Sequence, residues 1–390
     1  MMNVIIEFFD EEPIENLITC LHYKVDKVIY FGYGSQMSQA QKDIIRKAQE
    51  KICDVKNVEF VGVSSGSLSK ILEVMEMTVA KEEANGNQCF YDLTGGGDLI
   101  LVAMGILSTR RKAPMHAYDV EKGMISILNQ QEVQSIQDLV PERKVELTLD
   151  HMVSLYGGTI NYGDQKLSKS YLTSEAFIEE VDKLWQVAKK DQRKWNGMSA
   201  VLKCCTDYEV SDLAVEVTEA DLERMVKKCP GIHSLKEMLR FLAQFQSFGV
   251  LESYGVQQGM VRFSYKNEKL RDCLLDAGCL LELRTYFDKK HSGKYSDVRI
   301  GVHIEWDYEV EPGEENVKNE IDVLALEGNI PHFISCKNGR INQMALYELE
   351  TVAERFGGRY AKKELVTSQL VTDGHAKRAE EMGILITKPQ

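Results

Sequence analysis

Three hundred and ninety residues, 44% hydrophobic, 27% charged and 8% aromatic, describe a globular chain of two or three domains. No apolar run approaches the roughly 20 residues that cross a bilayer, and the opening MMNVIIEFFDEEP turns acidic with no basic start, so a cytoplasmic chain with no membrane partner is expected. Nine cysteines without a CxxC pair argue against a disulfide framework or a zinc knuckle, and a net charge of −13 argues against sequence-blind adhesion to nucleic acid without a local basic surface.

Over residues 1–145, β-rich runs at 3–9, 27–32, 58–63, 89–93 and 124–128 alternate with helical patterns. That alternation predicts βαβ units, a parallel sheet and a Rossmann-like domain. The run CFYDL leads into Thr94, Gly95, Gly96 and Gly97 and then an apolar helix, a setting in which open backbone amides hold phosphate. Ser64 and Ser65 follow VEFVGV, and Gly34 follows KVIYFG, so three loops share the carboxyl edge of one sheet, where ligands bind. Such turns also serve simply to reverse the chain. The dinucleotide fingerprint fails after Gly34, where Ser, Gln and Met follow, and there is no Walker A sequence, which speaks against NAD and ATP.

Residues 146–265 read as a connecting segment. Val145–Tyr162 suggests two β-type runs around Gly157-Gly158, and Ser174 caps a helix carrying Phe177, Val181, Leu184 and Trp185. Helices over 218–228 and 234–246 precede a hairpin at 251–265, an order that suits a winged helix or a spacer. Lys189, Lys190, Arg193 and Lys194 beside Trp195 could follow a single strand by phosphate pairing and stacking, or simply cap a helix end.

Residues 266–390 predict a second α/β domain: a helix over 267–289, a strand, an acidic turn at 311–316, paired strands around NEIDVLAL and PHFISCK, a helix, and two further strands flanking a helix at 375–382. Glu320 and Asp322, two apart, share one strand face, as do Ser335 and Lys337 on the next strand. The connection Glu327–Asn329 is short, so pairing brings a carboxylate beside a lysine. Carboxylates that hold a divalent cation, with a lysine to steady developing negative charge, suit phosphodiester hydrolysis. Residues 301–330 carry nine acids against one lysine, whereas 331–363 carry six Lys and Arg against three acids, which sets a metal pocket beside a phosphate surface. Taken alone, the pair also reads as a cross-strand ion pair.

The succession GCLLE at 278–282, NEIDV at 319–323 and FISCKNG at 333–339 resembles the PD-(D/E)xK nuclease fold. The resemblance implies Glu282, Asp322 and Lys337 as catalytic residues. It also implies an Mn2+ or Mg2+ ion on Glu282, Asp322 and the Cys336 backbone carbonyl. The acid usually found two residues before the lysine is Ser335 here, and Glu320 is the carboxylate placed to compensate. A Cys336 thiolate nucleophile is the alternative chemistry.

Joined to the LTGGGD loop, the whole resembles the CRISPR-associated Rossmann-fold (CARF) proteins that carry a PD-(D/E)xK domain and act as ancillary nucleases of type III CRISPR systems. That resemblance implies a sensing domain over 1–145, a connecting segment over 146–265 and a nuclease domain over 266–390. Its ligand would be cyclic tetra-adenylate, bound by Gly34, Ser64, Ser65 and Thr94 to Gly97. A ring of repeated nucleotides fits two identical loops about a two-fold axis, hence a homodimer. The expected substrate is single-stranded RNA or DNA. The competing expectation is a ligand-responsive transcription regulator with a noncatalytic C-terminal domain.

Overall fold

The computed structural model describes residues 1–64, 66–113, 115–127, 132–135, 146–163, 169–306 and 318–389. Seven strands form the first sheet: β1 (Asn3–Phe8), β2 (Lys27–Tyr33), β3 (Asn57–Val63), β4 (Gln88–Asp92), β5 (Met115–Asp119), β6 (Met124–Ile127) and β7 (Glu132–Ser135), in the order β3-β2-β1-β4-β5-β6-β7. Pairing is parallel from β3 through β5. The expected strand at 124 is instead antiparallel, because the chain returns through a turn with Gly123 at φ 61° and pairs β6 with β5 and β7. Helices α1 (Ile18–His22), α2 (Gln39–Ala48), α3 (Leu68–Ala84) and α4 (Asp98–Arg111) complete this region.

The stretch 145–162 corrects the sequence expectation. Its first half is helix α5 (Leu149–Leu155), capped by Thr148, whose hydroxyl accepts from the His151 amide. Leu149, Met152, Val153 and Leu155 are buried, a helical spacing that outweighs the local β propensity. The second half is β8 (Gly158–Asn161), which pairs with β13 (Asp297–Trp306) far along the chain. A short α6 (Lys169–Leu172) leads to α7 (Glu175–Ala188) and α8 (Gln192–Cys204). Next come β9 (Glu209–Ser211), β10 (Ala214–Thr218), α9 (Glu219–Lys228), α10 (Leu235–Ser247), β11 (Leu251–Gln257) and β12 (Met260–Tyr265), the strands forming a sheet of order β11-β12-β10-β9. Helix, strand, helix, helix and hairpin is the order of a winged helix.

The single helix expected over 267–289 is two: α11 (Glu268–Leu275) and α12 (Cys279–His291). The break is an Asx turn in which Asp276 Oδ1 accepts from the Gly278 amide at 2.8 Å. It places Glu282 in the first turn of α12. β13, β14 (Lys318–Glu327), β15 (Ile330–Lys337), α13 (Gln343–Gly357), β16 (Lys362–Thr367), α14 (Asp373–Glu381) and β17 (Ile384–Thr387) follow, with sheet order β17-β16-β15-β14-β13-β8. The acidic turn at 311–316 lies outside the described residues.

Both faces of this last sheet are covered. One contributes Val323, Ala325, Ile334 and Cys336 to a core shared with α7, α8, the winged-helix region and α12. The other contributes Val302, Leu324, Phe333 and Leu365 to a core that continues through α5 and α13 into Phe9, Leu17 and Ile45 of the first region. Among the described residues no helix is long and apolar enough to cross a membrane.

Candidate functional site

Strands β14 and β15 pair from Glu327↔Ile330 to Val323↔Ile334, and there the ladder stops. β14 stays paired with β13 as far as Glu305↔Lys318, while β15 stays paired with β16 as far as Lys337↔Thr367, so the sheet forks. In place of a main-chain carbonyl, the next amide, that of Cys336, donates to Asp322 Oδ2 at 2.6 Å. Ser335 Oγ–H donates to the same oxygen at 3.1 Å, and Lys337 Nζ lies 3.9 Å from it. Burial pushes the Asp322 carboxyl above its ordinary range, and the Lys337 charge, the Cys336 amide and the Ser335 hydroxyl oppose that shift. The Asp322 side chain is 17% exposed and that of Lys337 38%, so the lysine reaches from a half-buried anchor into the cleft.

The cleft holds about 50 Å3, room for a few waters, and is lined by Glu320, Asp322, Ser335, Lys337 and Glu348 together with apolar residues of α13. Glu348, on α13, was not anticipated from sequence. The i, i+3, i+4 pattern of Ala345, Glu348 and Leu349 on the helix following the lysine strand is the signal that could have found it. Glu282 does not line this cleft. It is tied to the site through its helix, where Thr285, one turn on, accepts from the Cys336 thiol at 3.5 Å. Glu320 faces His303 in register, with His303 Nε2 3.8 Å from its carboxylate.

Cys336 does not fit a nucleophile: it is buried, and burial, with the Asp322 charge next, pushes its thiol well above the usual range. Asn338, next to Lys337, is clamped by Asn196 of α8 at 2.7 Å and by the Ala277 carbonyl at 2.6 Å, so the winged-helix side of the molecule holds the lysine strand's end. Among the described residues no group of three or more His, Cys, Asp or Glu is arranged to hold a metal ion. The Asp322 carboxylate is the kind of hard oxygen ligand a hydrated divalent cation takes, with no cage built wholly of protein around it among the described residues.

At the other end of the chain, strand order 3-2-1-4 puts the topological switch between β1 and β4, beside the glycine loop. Gly34 and Ser64 are exposed on the same edge, and Ser65 lies outside the described residues. Gly95 and Gly96 take φ of 73° and 109°, which other residues adopt only with strain. Thr94 is buried, its hydroxyl donating to Asp92 at 2.6 Å and accepting from the Tyr118 amide at 2.9 Å, so its side chain braces the loop rather than facing the crevice.

The basic residues expected to track a substrate are largely engaged elsewhere. Trp195 is buried in the core and Lys194 pairs with Glu237 at 2.7 Å, which removes the stacking reading of this cluster and leaves the helix-end one. Arg355 lies over Trp306, Arg359 pairs with Glu15, Lys362 with Glu121 and Lys363 with Glu350 and Glu354.

A Rossmann-like region with an open switch crevice, joined through a winged-helix order to a forked sheet bearing Asp322 and Lys337, makes up a mixed α/β protein. Residues 268–390 match the family described as Card1-like, endonuclease domain. No curated protein matches the chain by sequence. By structure the chain is similar to protein VC1899 from Vibrio cholerae, with a TM-score of 0.74 and 17% identity over 100% of this chain and 94% of that one. It is also similar to Can2 from Sulfobacillus thermosulfidooxidans in complex with cyclic tetra-adenylate, with a TM-score of 0.68 and 16% identity over 99% and 95%. A type III CRISPR defence DNA nuclease activated by cyclic oligoadenylate gives a TM-score of 0.50 and 14% identity over 93% of this chain and 45% of that one. At such identities the likeness is one of fold.

Proposed function

We propose that the chain is a nuclease of type III CRISPR defence that cuts single-stranded RNA or DNA, depends on Mn2+ or Mg2+, and is switched on by cyclic tetra-adenylate bound at the glycine loop of a homodimer. The observation that carries this reading is the fork at Asp322 and Lys337 inside a region that matches an endonuclease domain. Lys337 is the group placed to hold a scissile phosphate and steady its added charge. Asp322 keeps Lys337 oriented, and in an extended strand the Cys336 carbonyl leaves on the same edge as the amide that meets Asp322, so it too opens into the fork. A divalent ion held by Asp322 and that carbonyl, with Glu320 nearby and Glu282, outside the cleft in this structure, brought in from α12, would lower the pKa of bound water and shield the phosphate.

The homodimer is supported by α4, directly behind the glycine loop, which leaves Leu99 at 38% and Val102 at 50% exposure one turn apart. A second copy of the same stripe is its natural cover, and it would set two glycine loops about one axis.

The test is cleavage of labelled single strands with Mn2+ and cyclic tetra-adenylate. Asp322→Ala and Lys337→Ala should each lower the rate by about a hundredfold or more, and wild-type rates in both would remove the site. The winged-helix order favours one other reading, a ligand-responsive transcription regulator. A sequence-specific footprint on duplex DNA that persists without metal, with no hydrolysis, would select it.

A further inference from the structure

The loop that follows β1, residues 9–16, stands at the switch crevice and carries Asp10, Glu11, Glu12 and Glu15. It is internally braced: the Asp10 amide donates to Asn16 Oδ1 at 2.8 Å, Asn16 Nδ2 donates back to the Asp10 carbonyl at 2.8 Å, and the Glu12 amide donates to Asp10 Oδ1 at 2.8 Å. The other oxygen, Asp10 Oδ2, takes the Gly96 amide at 2.7 Å. An anion of this chain therefore already sits where the glycine loop would receive a phosphate. Beneath it, Glu15 is 4% exposed, and its Oε2 has no hydrogen-bond partner among the described residues although a Cβ at Gly95 would collide with it. A buried acceptor without a donor is held at a cost, so Glu15 is readily given up from this place.

The same strap grips the nuclease domain. Glu15 pairs with the Arg359 guanidinium and with the Tyr360 hydroxyl, while Glu12 takes the Arg359 amide at 2.9 Å and the Tyr156 hydroxyl. Gly358, at φ 60°, lets the chain pass so close to the Glu12 carboxylate that a Cβ there would collide with it. Arg359 and the glycine loop line one crevice, which also contains Gln36, Gly96 and Gly97. Just before Arg359 comes α13, whose residues Ala345, Glu348, Leu349 and Val352 line the Asp322 cleft.

We infer that the 10–15 strap is a built-in competitor of the ligand phosphate and the mechanical link to the cutting site: a phosphate at the glycine loop displaces the Asp10 carboxylate from Gly96, repels Glu15 from Arg359, and so releases the C-terminal end of α13. Arg359, side chain 56% exposed at the crevice, then passes from Glu15 to the phosphate, as a guanidinium does readily between two oxyanions. A ligand shifts a two-state element only by what it binds differently in each state, and here the difference is the exchange of one internal anion for an external one. This rests on the proposed reading of the glycine loop.

The test is titration of the full chain with cyclic tetra-adenylate, paired with strand cleavage with and without it. Asp10→Asn, which keeps shape and an acceptor but loses the charge, should bind the ligand about tenfold tighter. Arg359→Ala and Glu15→Gln should still bind it, but the ratio of cleavage with ligand to cleavage without should fall by about tenfold or more. Two variants at opposite ends of one contact, each checked by thermal melting, separate loss of coupling from loss of fold. Unchanged or weaker binding by Asp10→Asn, or a wild-type ratio in both latch variants, overturns the inference alone. If the wild-type chain does not bind the ligand at all, the reading of the glycine loop falls and this inference falls with it.

Discussion

Asp322 shows how one side chain can end a sheet and begin a site. Its carboxylate takes a backbone amide that a strand carbonyl would otherwise accept, and the same oxygen lies near Lys337. This pairing was legible in sequence because it needs only a side-chain period of two and the short turn through Gly328 and Asn329. Glu348 was not, because a carboxylate delivered by the next helix has no fixed register against a strand until the helix docks. Ser335 marks the departure from the nuclease pattern, giving Asp322 a hydroxyl where a second acid would bind metal. Ser335→Glu should lower the Mn2+ concentration for half-maximal cleavage, by about tenfold, since hard cations respond to ligand charge. A metal titration of cleavage with cyclic tetra-adenylate present measures it, and an unchanged midpoint would mean that this position does not face an ion.

At the scale of elements, the strands of the first sheet could be read from their β-branched runs, whereas the reversal at β6 depends on a glycine turn whose sequence cue is weak. α5 shows the opposite failure. Its Leu-Thr-Leu opening favours a strand locally, yet its apolar residues fall at helical spacing, and only docking against α2, α13 and β8 decides between them. Its start depends on the Thr148 cap, in which the His151 ring returns a hydrogen bond by accepting the Thr148 amide at 3.3 Å. Thr148→Ala should cost about 1 kcal/mol of stability in denaturant unfolding. A smaller effect would mean that tertiary packing alone holds the helix.

The molecule buries several acids in and beside its first sheet. Burial pushes Glu12 up to about 7, with the Arg359 amide and charge working against it, and burial also raises Glu7 and Asp92. An acid whose folded pKa lies above its unfolded one binds protons more readily when folded. Its contribution to stability is therefore complete below about 4.5 and is lost as pH rises through about 7. Burial lowers the pKa of His116 and His332, so those groups act with the opposite sign, losing stability on acidification. The difference between variants isolates the acid: Glu12→Gln should melt with a shallower decline than wild type between about pH 5 and 8, and parallel melting curves would contradict the assignment.

Among the described residues, the apolar cluster running from Phe9 and Ile45 through α5 to Phe333 and Leu365 leaves no seam at which the first sheet and the last could be parted cleanly. Excising either would lay bare a greasy surface that the other now keeps dry. The two halves thus share one interior, so a signal passing between them meets a continuous body and not a free arm.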